Sequence, residues 1–380
     1  MSARVRAAPP ALRVLHVFKD VFPPTFGGVE QHIWDITRSL GPGFRFSVLT
    51  ASRSVRGRVD EVDGVQVVRA PELGRVLSTP VTPTWWRELR RQPADVVHVH
   101  LPCPLAELAC IARPPAAPVV ASFHADIIRN PGLARWYLPL QHRFLARAAR
   151  VVAGSAVLAG TSPALAVRRG RVAVIPYGVD PDEWPAPPEA VTAIRGSAHG
   201  RPLVLFLGRL VSYKGVDVLI EAMRSVDATL LIVGDGPARP ALEAASDGLG
   251  DRVLFAGNVS NESRSAYYRA ADVFVLPAVS RAESFGIAML EAMAQGTPAI
   301  STEVGTGTSW VNVDGQTGVV VPPGDPERLA SALKALFADD GRRKELGAAA
   351  AARARRHFSK RAMVEQLSEL YRDVSASTRS

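Results

Sequence analysis

Short runs rich in β-branched and other apolar residues alternate with helix-like stretches along almost the whole chain, and this alternation restricts the fold more than any other feature. The runs are Leu12–Phe18, Phe44–Thr50, Val65–Arg69, Asp95–His100, Val119–Phe123, Val151–Ala153 and Val172–Ile175, then Leu203–Leu207, Thr229–Val233, Val253–Phe255, Val273–Leu276, Ala299–Ser301 and Val319–Val321. Nearly continuous apolar strands separated by helices are the pattern of βαβ units, whose parallel sheets are covered on both faces. At 380 residues the chain exceeds the ~250–300 at which single cores stop growing. The expectation is therefore an α/β chain of two doubly wound domains, with the proline-rich segment Pro176–Pro188 as linker. The domain boundaries expected are 1–176 and 177–359, followed by a final helix within 360–380. Its Met363, Leu367, Leu370 and Tyr371 share a stripe that needs an apolar partner. A cleft between two such domains is the default ligand site.

Charge and cysteine usage narrow the class of partner. The 45 basic and 36 acidic residues give +9, a balance compatible with anionic substrates, nucleic acid or a membrane surface. Only five of the basic residues are lysines, within an Ala-, Arg- and Pro-rich composition, so part of the bias is compositional and Lys214 stands out as a compact point charge in a loop. No recognised nucleic-acid module accompanies the charge, which argues against that partner. Cys103 and Cys110 lack metal-ligand spacing and read as buried free thiols in a reducing, cytoplasmic setting. No secretory signal is expected, since Arg13 and His16 interrupt the apolar run after Pro10. The run Val151–Val167 reads as strand, turn and helix because of its Gly, Ser, Thr and Pro content.

The stretch Glu283-Ser-Phe-Gly-Ile-Ala-Met-Leu-Glu291 carries the most chemistry. It joins the strand Val273–Leu276 to a helix beginning near Ile287, and open parallel sheets bind ligands where strand ends meet helix starts. The first amides of a helix lack internal acceptors and, with the macrodipole, favour a diphosphate. Glu283 and Glu291 flank those amides as acceptors suited to sugar hydroxyls. Eight helical residues span ~12 Å, against the ~5 Å of a retaining glycosidase pair, which argues against a carboxylate double-displacement dyad. Taken alone, the two acids could equally be a loop charge and a solvated helix charge.

Other segments supply candidate anion and polar contacts. Gly208-Arg209 and Lys214-Gly215 follow the strand Leu203–Leu207 and place two cations in a glycine-bounded loop at a helix entrance; the P-loop spacing is absent. Gly234-Asp-Gly236 serves either ligand approach or tight strand-to-helix packing. Phe26-Gly27-Gly28 permits close backbone approach to phosphate or sugar, or is an ordinary turn. His124 ends the strand Val119–Phe123 and reads as a polar site contact, whereas His16 and His98 read as core residues and His100 as intermediate. Asp180-Pro-Asp182 matches an Asp-x-Asp pattern, but its proline-rich setting favours turn chemistry, and no metal is assigned. Trp85-Trp86-Arg87 and Trp136-Tyr137 with nearby arginines read as solvated helix faces with partly buried aromatics, or as contacts to anionic lipid.

Together these motifs resemble retaining glycosyltransferases of the GT-B fold, in glycosyltransferase family four. Glu283-Ser-Phe-Gly to Glu291-Ala-Met resembles the family's Glu-x(7)-Glu motif, and Gly208-Arg209 with Lys214-Gly215 its phosphate loop. The resemblance implies two Rossmann-like domains, the first reading the acceptor, the second the nucleotide sugar, with the last helix crossing back to the first. It implies that Arg209 and Lys214 bind the donor diphosphate, Glu291 the ribose and Glu283 the transferred sugar. Amides near Phe285, Gly286 and Ile287 approach the phosphates or sugar, and His124 hydrogen-bonds the transferring sugar. Gly27 and Gly28 line the diphosphate side, and Val259 and Arg264 fall where such enzymes hold the base. Leu15-His-Val-Phe-Lys-Asp and Ser301-Thr-Glu-Val-Gly-Thr-Gly-Thr-Ser-Trp310 look like the branch of bacterial mannosyl- and rhamnosyltransferases of surface polysaccharides.

The function expected is transfer of mannose or rhamnose from a GDP-sugar to a hydroxyl of a glycan or lipid-linked acceptor, with no cofactor beyond the donor. A UDP-sugar donor, a sugar-nucleotide 2-epimerase and a non-catalytic sugar-nucleotide sensor are the competing readings. The location expected is cytoplasmic, open to peripheral contact with the inner face of the membrane.

Overall fold

A computed structural model describes residues 11–21, 27–76, 79–127 and 131–377. The chain divides into two compact units. The first comprises residues up to Gly154, Ser162–Ile175 and the chain from Met363 onward, while the second holds Ser155–Thr161 and Pro176–Ala362. The short helix Ala156–Thr161 thus belongs to the second unit although the strands on either side of it belong to the first.

The first unit is an eight-stranded sheet. In chain order its strands are β1 (Leu12–Val17), β2 (Phe44–Ala51), β3 (Arg58–Val62) and β4 (Val65–Ala70), followed by the small hairpin β5 (Arg75–Val76) and β6 (Thr79–Pro80), which stands apart from the sheet. Strands β7 (Val96–Leu101), β8 (Val119–Phe123), β9 (Arg150–Ala153) and β10 (Val172–Val174) complete it in the order β10-β9-β8-β7-β1-β2-β4-β3. All neighbours are parallel except β3, which pairs antiparallel with β4 at the edge. The polar segment Arg58–Val62 thus forms the edge strand. Asp63-Gly64 makes the turn with both residues at positive φ, 50° and 77°, the geometry that a two-residue hairpin favours.

The final helix, Lys360–Ala376, places Met363, Val364, Leu367, Leu370, Tyr371 and Val374 in one apolar cluster with Val14, Val96 and Val120 of the first unit's sheet. Residues at i, i+4, i+7, i+8 and i+11 lie along one helical face, which accounts for the stripe.

The second unit is a six-stranded parallel sheet of β11 (Leu203–Leu207), β12 (Thr229–Val233), β13 (Val253–Gly257), β14 (Val273–Leu276), β15 (Ala299–Thr302) and β16 (Gly318–Val321), ordered β13-β12-β11-β14-β15-β16. Val204 and Phe206 of β11 enter one apolar cluster, Leu203, Leu205 and Leu207 another. The strand is apolar throughout because both of its faces are covered. In each unit the chain starts in mid-sheet, builds outward on one side, then returns to build on the other. The reversal falls between β1 and β7 in the first unit and between β11 and β14 in the second. Such switch points leave a crevice at the carboxyl ends of the strands, where ligands bind.

Candidate functional site

In the second unit, the two segments singled out from the sequence leave the two strands that flank its switch point. The loop after β11 carries Gly208, the exposed Arg209 and Lys214, and it leads into the helix Val216–Met223. The segment after β14 carries Glu283 and leads into the helix Ile287–Ala294. A backbone bond from Val279 N–H to the Tyr213 carbonyl, 2.9 Å, ties one to the other. Gly215 makes this approach possible: its φ is 66°, and a Cβ there would lie 2.1 Å from the Pro277 carbonyl oxygen. Gly234 in the turn after β12 likewise sits against the Gly208 carbonyl, 2.1 Å from where a Cβ would be. Of the two roles open to that turn, packing behind the cationic loop is the one this contact requires.

This joining brings Lys214 and Glu283 together as a hydrogen-bonded ion pair. Burial pushes the Lys214 ammonium down, but Glu283 and Tyr213 more than offset it, and the net direction is up. The second oxygen of Glu283 accepts the Gly286 N–H at 3.0 Å, at the start of the helix. The Glu283 carbonyl accepts from the buried Thr306 hydroxyl at 2.6 Å, fixing the acid from behind. Of the three amides expected at this helix start, that of Gly286 is therefore bonded to Glu283. The Phe285 side chain is core, packed on Tyr177 at 4.8 Å between ring centroids, so only its backbone faces a ligand role.

Glu291 accepts the Tyr268 hydroxyl at 2.5 Å and pairs with Arg264 at 3.7 Å. Burial, reinforced by Glu291, drives the Tyr268 hydroxyl well above its ordinary range, so it stays a donor. Val259, half-buried, packs on the apolar cluster that contains Tyr268. The sequence carried no signal for Tyr268, which looks like an ordinary member of a helix; Thr306 lies in the stretch Ser301–Trp310, which was singled out for its family resemblance and not for this contact.

In the first unit, Gly27 caps the helix Gly28–Ser39 and Gly28 begins it. Phe26 lies outside the described residues. Glu30 in the first turn is buried, and its carboxyl oxygen lies 2.3 Å from where a Gly27 Cβ would be, so the Glu30 side chain takes up the space that the missing side chain of Gly27 leaves. His124 follows β8, bonded through its N–H to the Leu101 carbonyl at 3.1 Å. It is as buried as the histidines expected in the core: His16, His98, His100 and His124 are at most 5% exposed. Burial holds all four well below the ordinary imidazole range, His16 at about 3, and so they are neutral at pH 7.

The remaining motifs fall elsewhere. Asp180 accepts the Asp182 N–H at 3.0 Å, closing a turn. Cys103 precedes the helix Pro104–Ala112 and Cys110 lies within it, both buried and free, with burial pushing the Cys110 thiol up to about 12. Trp85 is buried, Trp86 stacks under Arg113 at 4.4 Å, and Trp136 is 84% exposed, more open than the partly buried aromatic expected. Among the described residues no helix is long and apolar enough to cross a membrane.

Two doubly wound units, with cations and acids gathered at the second unit's switch point, define the GT-B class of glycosyltransferases. A family model described as "Glycosyl transferases group 1" matches residues 189–353, and one described as "Glycosyltransferase Family 4" matches residues 26–183. The chain is 36% identical over 352 residues to the D-rhamnosyltransferase WbpZ of Pseudomonas aeruginosa, covering 92% of each. It is 30% identical over 365 residues to O-antigen chain mannosyltransferase C of Escherichia coli, covering 95% of this chain and 98% of that one. In fold it is similar to a sucrose-phosphate synthase from Thermosynechococcus elongatus, with TM-score 0.80 at 22% identity over 96% of this chain and 100% of that one. The chain belongs to the family-four type of GT-B glycosyltransferases, enzymes that move a sugar from a nucleotide-sugar donor.

Proposed function

We propose that the protein transfers mannose or rhamnose from a GDP-sugar, with retention at the anomeric carbon, to a hydroxyl of a glycan or lipid-linked acceptor in polysaccharide assembly. The observation that carries this reading is the meeting of Lys214 with Glu283 at the switch point, with Glu291 further along the same helix. The likeness to rhamnosyl- and mannosyltransferases supports the sugar and, through it, the guanosine donor.

Arg209, Lys214 and the helix-start amides of Phe285 and Ile287 hold the departing diphosphate, where developing charge is stabilised by groups already in place. Glu291, held by Tyr268, takes the ribose hydroxyls, and Arg264 with Val259 borders the base. Glu283 and His124 take hydroxyls of the transferred sugar, while Gly27 and Gly28 line the diphosphate side. Glu283 is engaged by Lys214 and the Gly286 amide, a setting suited to an acceptor of hydrogen bonds rather than a nucleophile. The bond from the anomeric carbon to the phosphate oxygen breaks through an oxocarbenium-like state. The acceptor oxygen bonds on the same face, and its proton passes to the departing phosphate. A lipid-linked acceptor accounts for the open Trp136 on a helix that also carries the exposed Arg135 and Arg143, since aromatic and cationic groups on one helix suit an anionic headgroup layer.

Thermal stabilisation by GDP, UDP and ADP in parallel tests the donor. A ligand at 100 times its Kd adds ~2.7 kcal/mol, and the expected response is to GDP alone, lost in Arg209→Ala and Lys214→Ala. Selective UDP stabilisation overturns the GDP assignment, and no response to any nucleotide overturns the reading. Inversion at the anomeric carbon of the product, read by NMR, overturns retention.

A further inference from the structure

Four of the five buried histidines described in the first unit share one face of its sheet, the fifth being His32 on the helix Gly28–Ser39. His16 of β1 is the register partner of His98 of β7, and His100 of β7 is the register partner of Ser122 of β8. Side chains two apart in a strand share a face, so His98 with His100, and Ser122 with His124, fall on the face that also carries His16. They form a polar layer at the switch point between the apolar residues Val14, Val96 and Val120 and the carboxyl ends of the strands.

Three of the rings are joined end to end. His16 Nδ1 lies 2.8 Å from His100 Nε2, and His100 Nδ1 lies 2.9 Å from His124 Nε2. His98 is outside this chain: its Nδ1 meets the Tyr371 hydroxyl and its Nε2 the Ser122 hydroxyl, each at 2.7 Å. Ring nitrogens of His16, His98 and His100 also approach one another within 4.8 Å, as metal ligands could. However, His98 stacks on His100 with centroids 4.3 Å apart and planes 29° from parallel. Stacked rings send their lone pairs side by side, not to a common centre, and the nearby nitrogens of His16 and His100 face each other at bonding distance.

A neutral imidazole has one N–H and one bare nitrogen, so two hydrogen bonds in series allow only two proton arrangements. In one, His16 donates to His100 and His100 donates to His124, which leaves the His124 proton on Nδ1 and the Nε2 of His16 bare. In the other every bond is reversed, and His16 Nε2 carries the proton. That atom is buried without a hydrogen-bond partner. An orphaned buried N–H is the costlier defect, and this selects the first arrangement.

We propose that His16 and His100 are positioning residues that lock His124 as the Nδ1–H tautomer, so that His124 meets the transferred sugar as a hydrogen-bond donor and not as a base. This rests on the assignment of His124 to that sugar. The lock runs from the interior outward, from an imidazole that no ligand reaches to one at the end of β8.

Ring-nitrogen NMR of histidine-labelled full-length protein tests it without substrate. The expected spectrum shows His124 with a protonated Nδ1 and a bare Nε2, and in His16→Phe a mixture of the two tautomers. His98→Gln, equally buried and outside the chain, is expected to leave the His124 signals in place. In turnover assays His16→Phe is expected to lower kcat about tenfold with KM for the donor nearly unchanged, because the lost orientation matters most in the transition state. Protonated Nε2 on His124 in the native protein overturns the proposal, as does one equivalent of bound metal per chain removed only by chelator. If His124→Ala turns over normally, the role of His124 fails while the native tautomer still decides the relay. Should His16→Phe not fold, the native spectrum alone stands as the test.

Discussion

The hydroxyl of Tyr371 lies 2.7 Å from Nδ1 of His98, although 273 positions separate them. One residue is in the last helix and the other in β7, so the end of the chain is fastened to the middle of the first unit's sheet by a buried polar bond as well as by apolar packing. Tyr371→Phe keeps the packing and removes the bond, leaving the buried His98 Nδ1 without that partner. The expected cost is ~1–2 kcal/mol, a fall of roughly 3–6 °C in the midpoint of thermal unfolding. An unchanged midpoint would show that His98 finds another partner.

Lys214 and Glu283 are each largely buried, with side chains 15% and 9% exposed. Removing one partner of such a pair leaves an uncompensated charge, at ~3–5 kcal/mol. Lys214→Met is therefore expected to destabilise the protein and reduce kcat/KM about a hundredfold or more, through loss of a charge on the departing diphosphate. The double variant Lys214→Met, Glu283→Gln removes both charges. It is expected to regain part of the stability and none of the activity, measured as a double-mutant cycle. Recovery of turnover in the double variant would place both residues outside the chemistry.

Gly215→Ala probes the backbone that holds these two residues together. Alanine must adopt φ near 66° and place its Cβ 2.1 Å from the Pro277 oxygen. Strain and displacement together are expected to cost at least ~2 kcal/mol, with weaker stabilisation by nucleotide as Lys214 shifts. Gly248 is the control: its φ is 83°, yet nothing lies within 4 Å of the added methyl group. Gly248→Ala should cost only ~1 kcal/mol, and denaturant midpoints of the two variants separate close approach from backbone conformation. Equal losses would mean the contact with Pro277 yields.

Much of the fold was legible because buried parallel strands are apolar at nearly every position, as in Leu203–Leu207 and Leu230–Val233, and need no knowledge of their neighbours. β3 was not, because Arg58, Asp60 and Glu61 sit in a largely solvent-facing edge strand. The Asp63-Gly64 turn was nonetheless a usable hairpin signal. The helix start at Ile287 could be placed from Gly286, whereas the ion pair of Lys214 with Glu283 could not. It joins loops 69 residues apart, and only the adjacency of β11 and β14 brings them together. The histidines show the same limit. Period two places His98 and His100 on one face, but the pairing of β7 with β1 and β8 is what turns separate core residues into a bonded row.

Glu107 offers a test by pH that is independent of substrate. It is fully buried in the helix Pro104–Ala112, with one carboxylate oxygen accepting the Cys103 N–H at 3.0 Å and the Tyr137 hydroxyl, and the other without a partner. Burial is the largest influence and, against both hydrogen bonds, lifts the carboxyl to about 7. The folded protein thus holds this proton more tightly than the unfolded chain, whose value stays near 4.5. Below pH 4.5 the group costs nothing in ionisation; between 4.5 and about 7 the unfolded state alone releases the proton, and stability falls as pH rises. At ~1.4 kcal/mol per pH unit, the full penalty above pH 7 is on the order of 3 kcal/mol. Glu107→Gln retains an oxygen for Tyr137 and Cys103 but has no proton to lose. Its unfolding midpoint is expected to match that of the unaltered protein near pH 4.5, to exceed it increasingly up to about pH 7, and to keep a constant lead above that. Parallel midpoint curves for the two proteins across that range would show that Glu107 keeps its charge in the folded state at no cost, and that water or another group reaches its second oxygen.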